Sequence, residues 1–480
     1  MNTPPPAVSA DSKAISSDDK VPLKQKLAYG AGGFAGAMGP NMDNALLRPI
    51  FVITLGLSPA LMSLFDALYR IWDAVTDGLM GWVSDNTRTR WGRRRPYIVL
   101  GAVLVSLWMP CLWLFDRSWD MNTIILYMVA TQLFLTVFTT IWNVPYQCLL
   151  LEFSADSRER TNAAASRAYF GKFAGFCMGW VWWLTQRPIF HDENGQPDII
   201  RGAFWVSIGG GLLVLLFGAL PGLFCRERFY ATAKHQKSVP ILESIKSTLS
   251  NRPFWFLIGL ALTLSLASSA ATGLGFFVTL IYVCGGDQGL ASTIAGFGST
   301  VTLVTGIAAI PLCQWVANRY GKKVATLGTL GLFLLWGAAT WVVYNPALPY
   351  LVLVTGVIHS ISNTAIWILI PSMTGDVVDH DELHTGQRRE GAYAAVFSWT
   401  YKLSTTLGTA VSGLLVVWVG YDAALKIEQP AEVIHNMRLA LLIVPVVFVC
   451  VAIFFMSRFP LGPTRVAENR RLLDARRTTA

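Results

Sequence analysis

The chain has 480 residues, of which 53% are hydrophobic and 14% charged, with a mean hydropathy of +0.47 and a formal net charge of +9. A soluble domain carries about 25% charged residues, so this composition excludes a free-standing water-soluble protein and points to a membrane. The seven cysteines are scattered through apolar segments without a CxxC pair, which excludes a disulfide framework and a cysteine metal site as organising features.

Residues 1–24 are rich in Pro, Ser and Asp and have no apolar stretch behind a basic start, so a disordered cytoplasmic tail is expected there, not a signal peptide. Apolar runs of about 20 residues, each enough to cross about 30 Å of hydrocarbon, then recur. They lie at 28–55, 60–83, 96–115, 121–152, 166–187, 202–224, 253–283, 291–317, 323–344, 347–372, 391–419 and 436–458. These spans predict an all-α integral membrane protein with about twelve transmembrane helices. Lys and Arg gather in alternate loops: Arg88 to Arg95 after span 2, Arg158 and Arg160 after span 4, Arg226 to Lys237 after span 6, Arg319 to Lys323 after span 8, Arg388 and Arg389 after span 10. The positive-inside rule then places both termini in the cytoplasm of a multi-pass cell (inner) membrane protein. Topology thereby accounts for the net charge without a nucleic-acid partner. The expected layout is a six-helix bundle at 25–224, a cytoplasmic linker at 225–252 holding an amphipathic segment PILESIKSTLSN, a second bundle at 253–458 and a cytoplasmic tail at 459–480.

Span 2 carries the most telling pattern. Asp66, Arg70, Asp73 and Asp77 follow one another at spacings of 4, 3 and 4, which stacks their side chains on one helical face. A carboxylate in hydrocarbon costs about 2.5–3.5 kcal/mol at mid-membrane, so it needs a partner or a task. Asp73 and Asp77 set two carboxylates side by side, an arrangement that suits a hard cation held by oxygens or a shared proton. Asp66 and Arg70, at i and i+4, are expected to neutralise each other. In span 1, Asp43 either faces a central cavity or pairs with Arg48 or another helix, and Arg48 is expected to snorkel to the outer interface.

The segment GWVSDNTRTRWGRRR (81–95) after span 2 returns as QWVANRYGKK (314–323) after span 8, six spans later and on the same side. A parallel repeat of two six-helix halves is the plan of the major facilitator superfamily. Three longer blocks carry a closer likeness: RIWDAVTDGLMGWVSDNTRTRWGRRRP (70–96), NVPYQCLLLEFSADSRERTNAAASR (143–167) and DVVDHDELHTGQRREGAYAAVFSWTYKLSTTLG (376–408). They resemble the signature regions of the glycoside–pentoside–hexuronide:cation symporters, the melibiose-permease-like family of that superfamily. The resemblance implies the major facilitator fold and a secondary active transporter that couples Na⁺ or H⁺ influx to uptake of a sugar or glycoside by alternating access. It implies no enzyme activity and no cofactor beyond the coupling ion, with the small-molecule substrate and the bilayer as partners of a monomer.

By the same resemblance the coupling cation would lie among Asp73, Thr76, Asp77 and Thr140, with Thr76 where the family carries Asn. Asn143, Arg167 and Trp367 would bind substrate, Lys402 would link the two sites, and Tyr401 would line the same cavity. Ala37 and Asn143 stand where the permease has carboxylates, so melibiose itself is not the expected cargo, and Asp43 is the candidate to replace the contact missing at Ala37. Asp85, Arg93 and Arg94 in the first half, with Asp376, Asp379 and Arg388 in the second, would form a cytoplasmic gate. Trp142, beside Asn143, is a further candidate for stacking on a sugar ring. Two rival readings stand beside this one: a lysolipid or amphiphile transporter of the same fold, which the lost carboxylates and an apolar cavity wall would suit, and a membrane glycoside sensor that does not transport.

Overall fold

A computed structural model describes residues 21–150, 157–227, 251–385 and 390–479, and the described residues are almost wholly helical. In chain order the helices are α1 (Leu23–Leu47), α2 (Pro59–Asn86), α3 (Arg95–Trp108), α4 (Met121–Leu149), α5 (Ser157–Thr185) and α6 (Ile199–Phe224). The second set comprises α7 (Arg252–Phe277), α8 (Gln288–Tyr320), α9 (Lys322–Val343), α10 (Val352–Thr385), α11 (Glu390–Trp418) and α12 (Ala431–Arg458), and a shorter α13 (Pro463–Thr479) follows. The first helix of each set ends in a wider π-helical stretch, Arg48–Thr54 after α1 and Val278–Val283 after α7.

Eight of the long helices, α3, α4, α6 to α10 and α12, have the length and apolar character to cross a bilayer. The remaining four, α1, α2, α5 and α11, are the more polar ones, and they carry most of the charged residues singled out from the sequence. Several helices outrun their apolar stretches on the side of the termini: α5 begins at Ser157 and α10 continues to Thr385. Helical hydrogen bonding is satisfied within the chain, so a helix need not stop where its hydrophobic surface does.

Within the first set α1 packs on α5 and α6, α3 on α4 and α6, and α2 on α4. Within the second α7 packs on α11 and α12, α9 on α10 and α12, and α8 on α10. The two sets meet through α5 against α8 and α2 against α11. The face that bears the ends of the described chain is called the terminal face below, and its opposite the far face.

The two repeated basic loops on the terminal face are built alike. Gly92 and Gly321 both have positive φ, +107° and +87°, a conformation open to glycine at little cost. Each is also tightly packed, since a Cβ would lie 2.5 Å from Glu227 Oε1 at Gly92 and 2.6 Å from Pro463 Cγ at Gly321. Behind Gly92 the amides of Arg93, Arg94 and Arg95 donate to the Glu227 carboxylate at 2.9, 2.9 and 3.2 Å, which satisfies the open amides at the start of α3 and sets a negative charge at its positive end. Arg95 returns the favour at the end of α6, donating to the carbonyls of Gly222 and Leu223 at 2.7 and 2.8 Å. In the second half Lys323 does the same at the end of α12, reaching the carbonyls of Ser457 and Phe459 at 2.9 and 2.8 Å, while Lys322 bonds Asp376 at 2.7 Å. The sequence echo between the loops is therefore also an echo of function: a basic residue behind the glycine turn caps the last helix of its own half.

The C-terminal segment, expected as a tail, ends in α13, which docks on α10 with Leu473 buried and Asn469 Nδ2 3.3 Å from His380 Nδ1. The N-terminal segment 1–20 and nearly all of PILESIKSTLSN lie outside the described residues, as does Arg388.

Because three amides share one carboxylate, Glu227→Ala is expected to destabilise the protein by about 2 kcal/mol, the worth of charge-assisted bonds partly replaced by water. Thermal unfolding of the purified protein in detergent should show a lower midpoint, and an unchanged midpoint would remove the clamp from the account of stability.

Candidate cation and substrate site

The packing of α2 on α4 brings the spaced acids of α2 against a threonine of α4. Thr140 Oγ stands 3.4 Å from Asp73 Oδ1, 3.3 Å from Asp77 Oδ1 and 3.2 Å from Thr76 Oγ. All four residues expected to bind the cation thus converge on one hydroxyl. From α11, across the junction between the halves, Lys402 Nζ bonds Asp73 Oδ2 at 3.3 Å and also bonds Asp77 Oδ2. Each carboxylate turns one oxygen to threonine and the other to lysine. The side chains remain partly accessible, 38% for Asp73, 23% for Asp77 and 46% for Lys402, so a small ion has a route in. Carboxylate and hydroxyl oxygens are the ligand types of a hard cation, and a lysine ammonium now lies against the same oxygens that such an ion would use.

Immediately toward the far face opens a cavity of 520 Å³ that Asp73 itself lines. Asn41, Asn44 and Arg48 of α1 and the adjoining π segment line it, as do Asp66 and Arg70 of α2 and Gln132, Thr136 and Thr139 of α4. Thr272 and Phe276 of α7 and Thr409 of α11 complete the wall, so both halves contribute. The polar groups can donate and accept in many directions, which is what a polyhydroxylated ligand requires. Asn41, Asn44, Gln132, Thr136 and Thr139 went unread in the sequence. Their signal was there: spacings of 3 and 4 for Asn41, Asn44 and Arg48, and of 4 and 3 for Gln132, Thr136 and Thr139, each a polar stripe on an apolar helix.

Several expectations are corrected by this arrangement. Arg48 lines the cavity and does not snorkel to the interface. Arg70 reaches across the junction to Thr405 Oγ at 3.2 Å, and Asp66 feels the charges of both Arg48 and Arg70. Asp43 does not face the cavity. It is fully buried between α1, the end of α3 and α6, with Oδ1 accepting from Trp113 Nε1 at 3.2 Å and from Ser207 Oγ at 3.1 Å. Trp142, offered for sugar stacking, is buried on α6 and α1, with Nε1 donating to the Gly218 carbonyl at 2.9 Å and its ring stacked on Tyr146 at 4.6 Å.

The other candidates are distributed around the centre. Asn143 and Arg167 lie on the terminal side of Thr140, Asn143 bonded to Gln147 Nε2 at 3.1 Å and Arg167 with its guanidinium 5.4 Å over the Tyr146 ring. Tyr401 lines a separate recess together with Asn363 and Thr405, which touches the main cavity through Thr272 and the Arg70–Thr405 bond. Trp367 lies on α10 and Asp85 on α2, and the positions of their side chains are outside what is described, like Arg388 altogether. Among the gate candidates, the Arg93 and Arg94 amides hold Glu227, and Asp376 takes Lys322 in its own half, whereas Asp379 lies on α10 one turn nearer its end.

The halves touch at the far face. Ser63 and Pro59 of α2 crowd Gly413 of α11, Ser299 of α8 fills the space beside Gly179 of α5 and donates to the Phe176 carbonyl at 3.0 Å, and Lys426 Nζ reaches the Thr54 carbonyl at 2.8 Å. Nearer the terminal face, Gly81 beyond Asp77 and Gly175 before Gly179 meet nothing within 4 Å among the described residues. Among the described residues, contacts between the halves run from the far face to the acid cluster.

A profile of the family described as MFS/sugar transport protein matches residues 28–463. The chain belongs to this family. It is accordingly a multi-pass membrane transporter and not an enzyme. It is 24% identical to the isoprimeverose transporter of Lactiplantibacillus pentosus over 93% of this chain and 91% of that one. It is also 24% identical to sodium-dependent lysophosphatidylcholine symporter 1-B of Danio rerio, over 94% and 90%. Among solved structures, a D-xylose-proton symporter superposes with a TM-score of 0.58 at 16% identity, covering 92% of this chain and 98% of that one, which places the helices in the major facilitator fold.

The bridge from Lys402 to two carboxylates predicts a double-mutant signature. Lys402→Met alone should cost about 1–2 kcal/mol, below the 3–5 of a fully buried pair because the lysine is 46% exposed. Adding Asp77→Asn should recover part of that loss in thermal melts without added Na⁺, and strictly additive losses would show that the bridge contributes nothing.

Proposed function

We propose that the protein is a secondary active transporter that couples Na⁺ or H⁺ influx to uptake of a sugar or glycoside by alternating access. The observation that carries this reading is a single juxtaposition: a two-carboxylate, two-hydroxyl cluster on one half, bridged by a lysine of the other, at the edge of a polar cavity walled by both. A coupling ion and Lys402 compete for the same oxygens. When the ion binds, the carboxylates are neutralised without the lysine, and Lys402 is freed from its hold across the junction. When the ion leaves, Lys402 returns and the carboxylates are again compensated.

Coupling follows if ion and sugar each favour the same arrangement of the halves, since a ligand that binds both states equally shifts no population. Asn41, Asn44, Gln132 and the threonines of α4 would bind hydroxyl groups, and Arg70, bonded to Thr405, would report occupancy of the cavity to α11. The far-side contacts at Ser63, Gly413, Gly179 and Ser299 would part in the opposite state of the cycle. The relative named an isoprimeverose transporter supports a small carbohydrate cargo, and the one named a sodium-dependent lysophosphatidylcholine symporter supports an ion-driven cycle.

The deciding measurement is uptake into proteoliposomes of radiolabelled galactosides, glucosides, xylosides and glucuronides under an imposed Na⁺ gradient, an H⁺ gradient or neither. Accumulation above equilibrium under one gradient is expected for one member of the panel, and lysophosphatidylcholine uptake with silence across all sugars would transfer the reading to a lipid cargo. In the active case Asp77→Asn should abolish uphill accumulation while leaving expression and membrane insertion intact; accumulation at the parent level would remove the acid cluster from the coupling site.

A further inference from the structure

On the terminal face, away from the central site, lies a cavity of 730 Å³, larger than the polar one between the halves. It surrounds the turn from α8 to α9 and is lined further by α10, the segment after α12 and the start of α13. Arg319, Lys322, Lys323 and Arg471 line it with a single carboxylate, Asp376, an excess of three positive charges among the described residues. Lys322 is spent on Asp376, and Lys323 on the carbonyls of Ser457 and Phe459. Arg319 and Arg471 are both exposed, and neither has a hydrogen bond or ion pair to another described residue; Arg319 rests only over the ring of its neighbour Tyr320, 5.7 Å from the centroid.

The other half shows what this place lacks. Behind Gly92 the chain answers its own basic loop with the carboxylate of Glu227, against which a Cβ on the glycine would fall at 2.5 Å. At Gly321 the atom in the same relation, at 2.6 Å, is Cγ of Pro463, which brings no charge. The two loops therefore share a backbone and a basic character but differ in one respect: the first carries its own anion, and the second leaves two guanidinium groups around a cavity. A guanidinium presents paired N–H donors that match the oxygens of a phosphate.

The depth of the cavity says where such a phosphate comes from. The turn joins two helices that are each able to cross a bilayer, so it stands at the level of the lipid headgroups on the terminal side. Trp315 and Tyr320, 56% and 51% exposed at the end of α8, are placed as interfacial aromatic anchors. Pro463, Val466 and Ala467 add an apolar side to the same cavity, as the glycerol and first acyl carbons of a lipid require.

We propose that this cavity is a binding site for the phosphodiester headgroup of an anionic phospholipid, with Arg319 and Arg471 on the phosphate. Its volume lies within the range of about 300–1,000 Å³ that accommodates small-molecule ligands. The charge excess selects against a choline headgroup, whose own ammonium cancels the attraction. Because Arg319 belongs to the α8 end and Arg471 to α13, the bound lipid ties the last helix to the second half at a point where the chain supplies no link of its own between them. The inference does not depend on what the protein carries.

The test uses the purified full-length protein in neutral detergent, titrated with dioleoylphosphatidylglycerol, dioleoylphosphatidylcholine, glycerol 3-phosphate or inorganic phosphate, with binding read by native mass spectrometry and stability by thermal melts. Phosphatidylglycerol is expected to bind about tenfold tighter than phosphatidylcholine and to raise the melting midpoint, with no such rise from either soluble phosphate at equal concentration. The double variant Arg319→Gln, Arg471→Gln should lose that preference, since each basic group near an anionic lipid is worth roughly a factor of five. Ala467→Glu, an exposed position on the same wall, is the second variant and should lose it by placing a carboxylate beside the phosphate. Arg465→Gln, on α13 beside Glu468 and outside the cavity, should keep it. Equal binding of the two lipids, a preference that survives the double variant and Ala467→Glu, or a preference lost equally in Arg465→Gln overturns the site. A midpoint raised as far by inorganic phosphate or glycerol 3-phosphate as by the lipid overturns the lipid as its occupant.

Discussion

Two carboxylates one helical turn apart cannot be left bare in the interior of a membrane protein, and much of this molecule is arranged around that fact. Asp73 and Asp77 are reconciled with their surroundings by a hydroxyl from a neighbouring helix and an ammonium from the opposite half. The first partner is permanent, since α2 and α4 belong to one bundle. The second is removable, since α2 and α11 meet only where the bundles touch. An electrostatic debt held in one half and settled by the other makes the relative position of the halves depend on what else occupies the site, and this dependence is the physical content of coupling.

The seams on either side of the cluster obey different rules. On the far side the helices approach through small residues, Gly413 against Ser63 and Gly179 against Ser299, close and short-ranged contacts to which Lys426 adds one bond to the Thr54 carbonyl. On the terminal face the links described are ionic and capping contacts within each half, Glu227 on the start of α3, Arg95 on the end of α6, Lys323 on the end of α12. Each half is thus laced together along one face, while the joint between them combines close small-residue packing with the Lys402 bridge to the acid cluster.

How much of this was readable in the amino-acid sequence depends on how costly each residue is to bury. The acids of α2 announced themselves, because ionised groups in an apolar run have few explanations, and their helical spacing alone set them on one face. Thr140 and Lys402 could be joined to them only through the family resemblance, since no local pattern links residues 63 and 325 positions from Asp77 in sequence. The cavity lining was overlooked for the opposite reason. Asn, Gln and Thr are cheap enough in a membrane helix, where Thr136 and Thr139 return their hydroxyls to backbone carbonyls of their own helix, that they raise no alarm singly. Asp43 misled because cost alone does not tell direction: it is answered by Trp113 and Ser207 on the side away from the cavity. The loop echo, by contrast, conveyed more than composition, for the same glycine turn and the same basic cap recur in three dimensions.

The π-helical stretches of the first helix in each half have a bearing on how alike the halves are. The helix from Leu23 to Thr54 and the helix from Arg252 to Val283 are each 32 residues long, and each loosens into the wide form in its last turns. A wide turn accommodates an inserted residue by rotating everything beyond it by about 100°, so its presence is a matter of counting residues and not of which residues they are. RPIFVIT and VTLIYV are both buried runs of β-branched and aromatic residues, and both lie at the same depth of their helices. The two halves thus share the winding of their first helix as well as the loop echo, so the side chains beyond each wide turn point in corresponding directions.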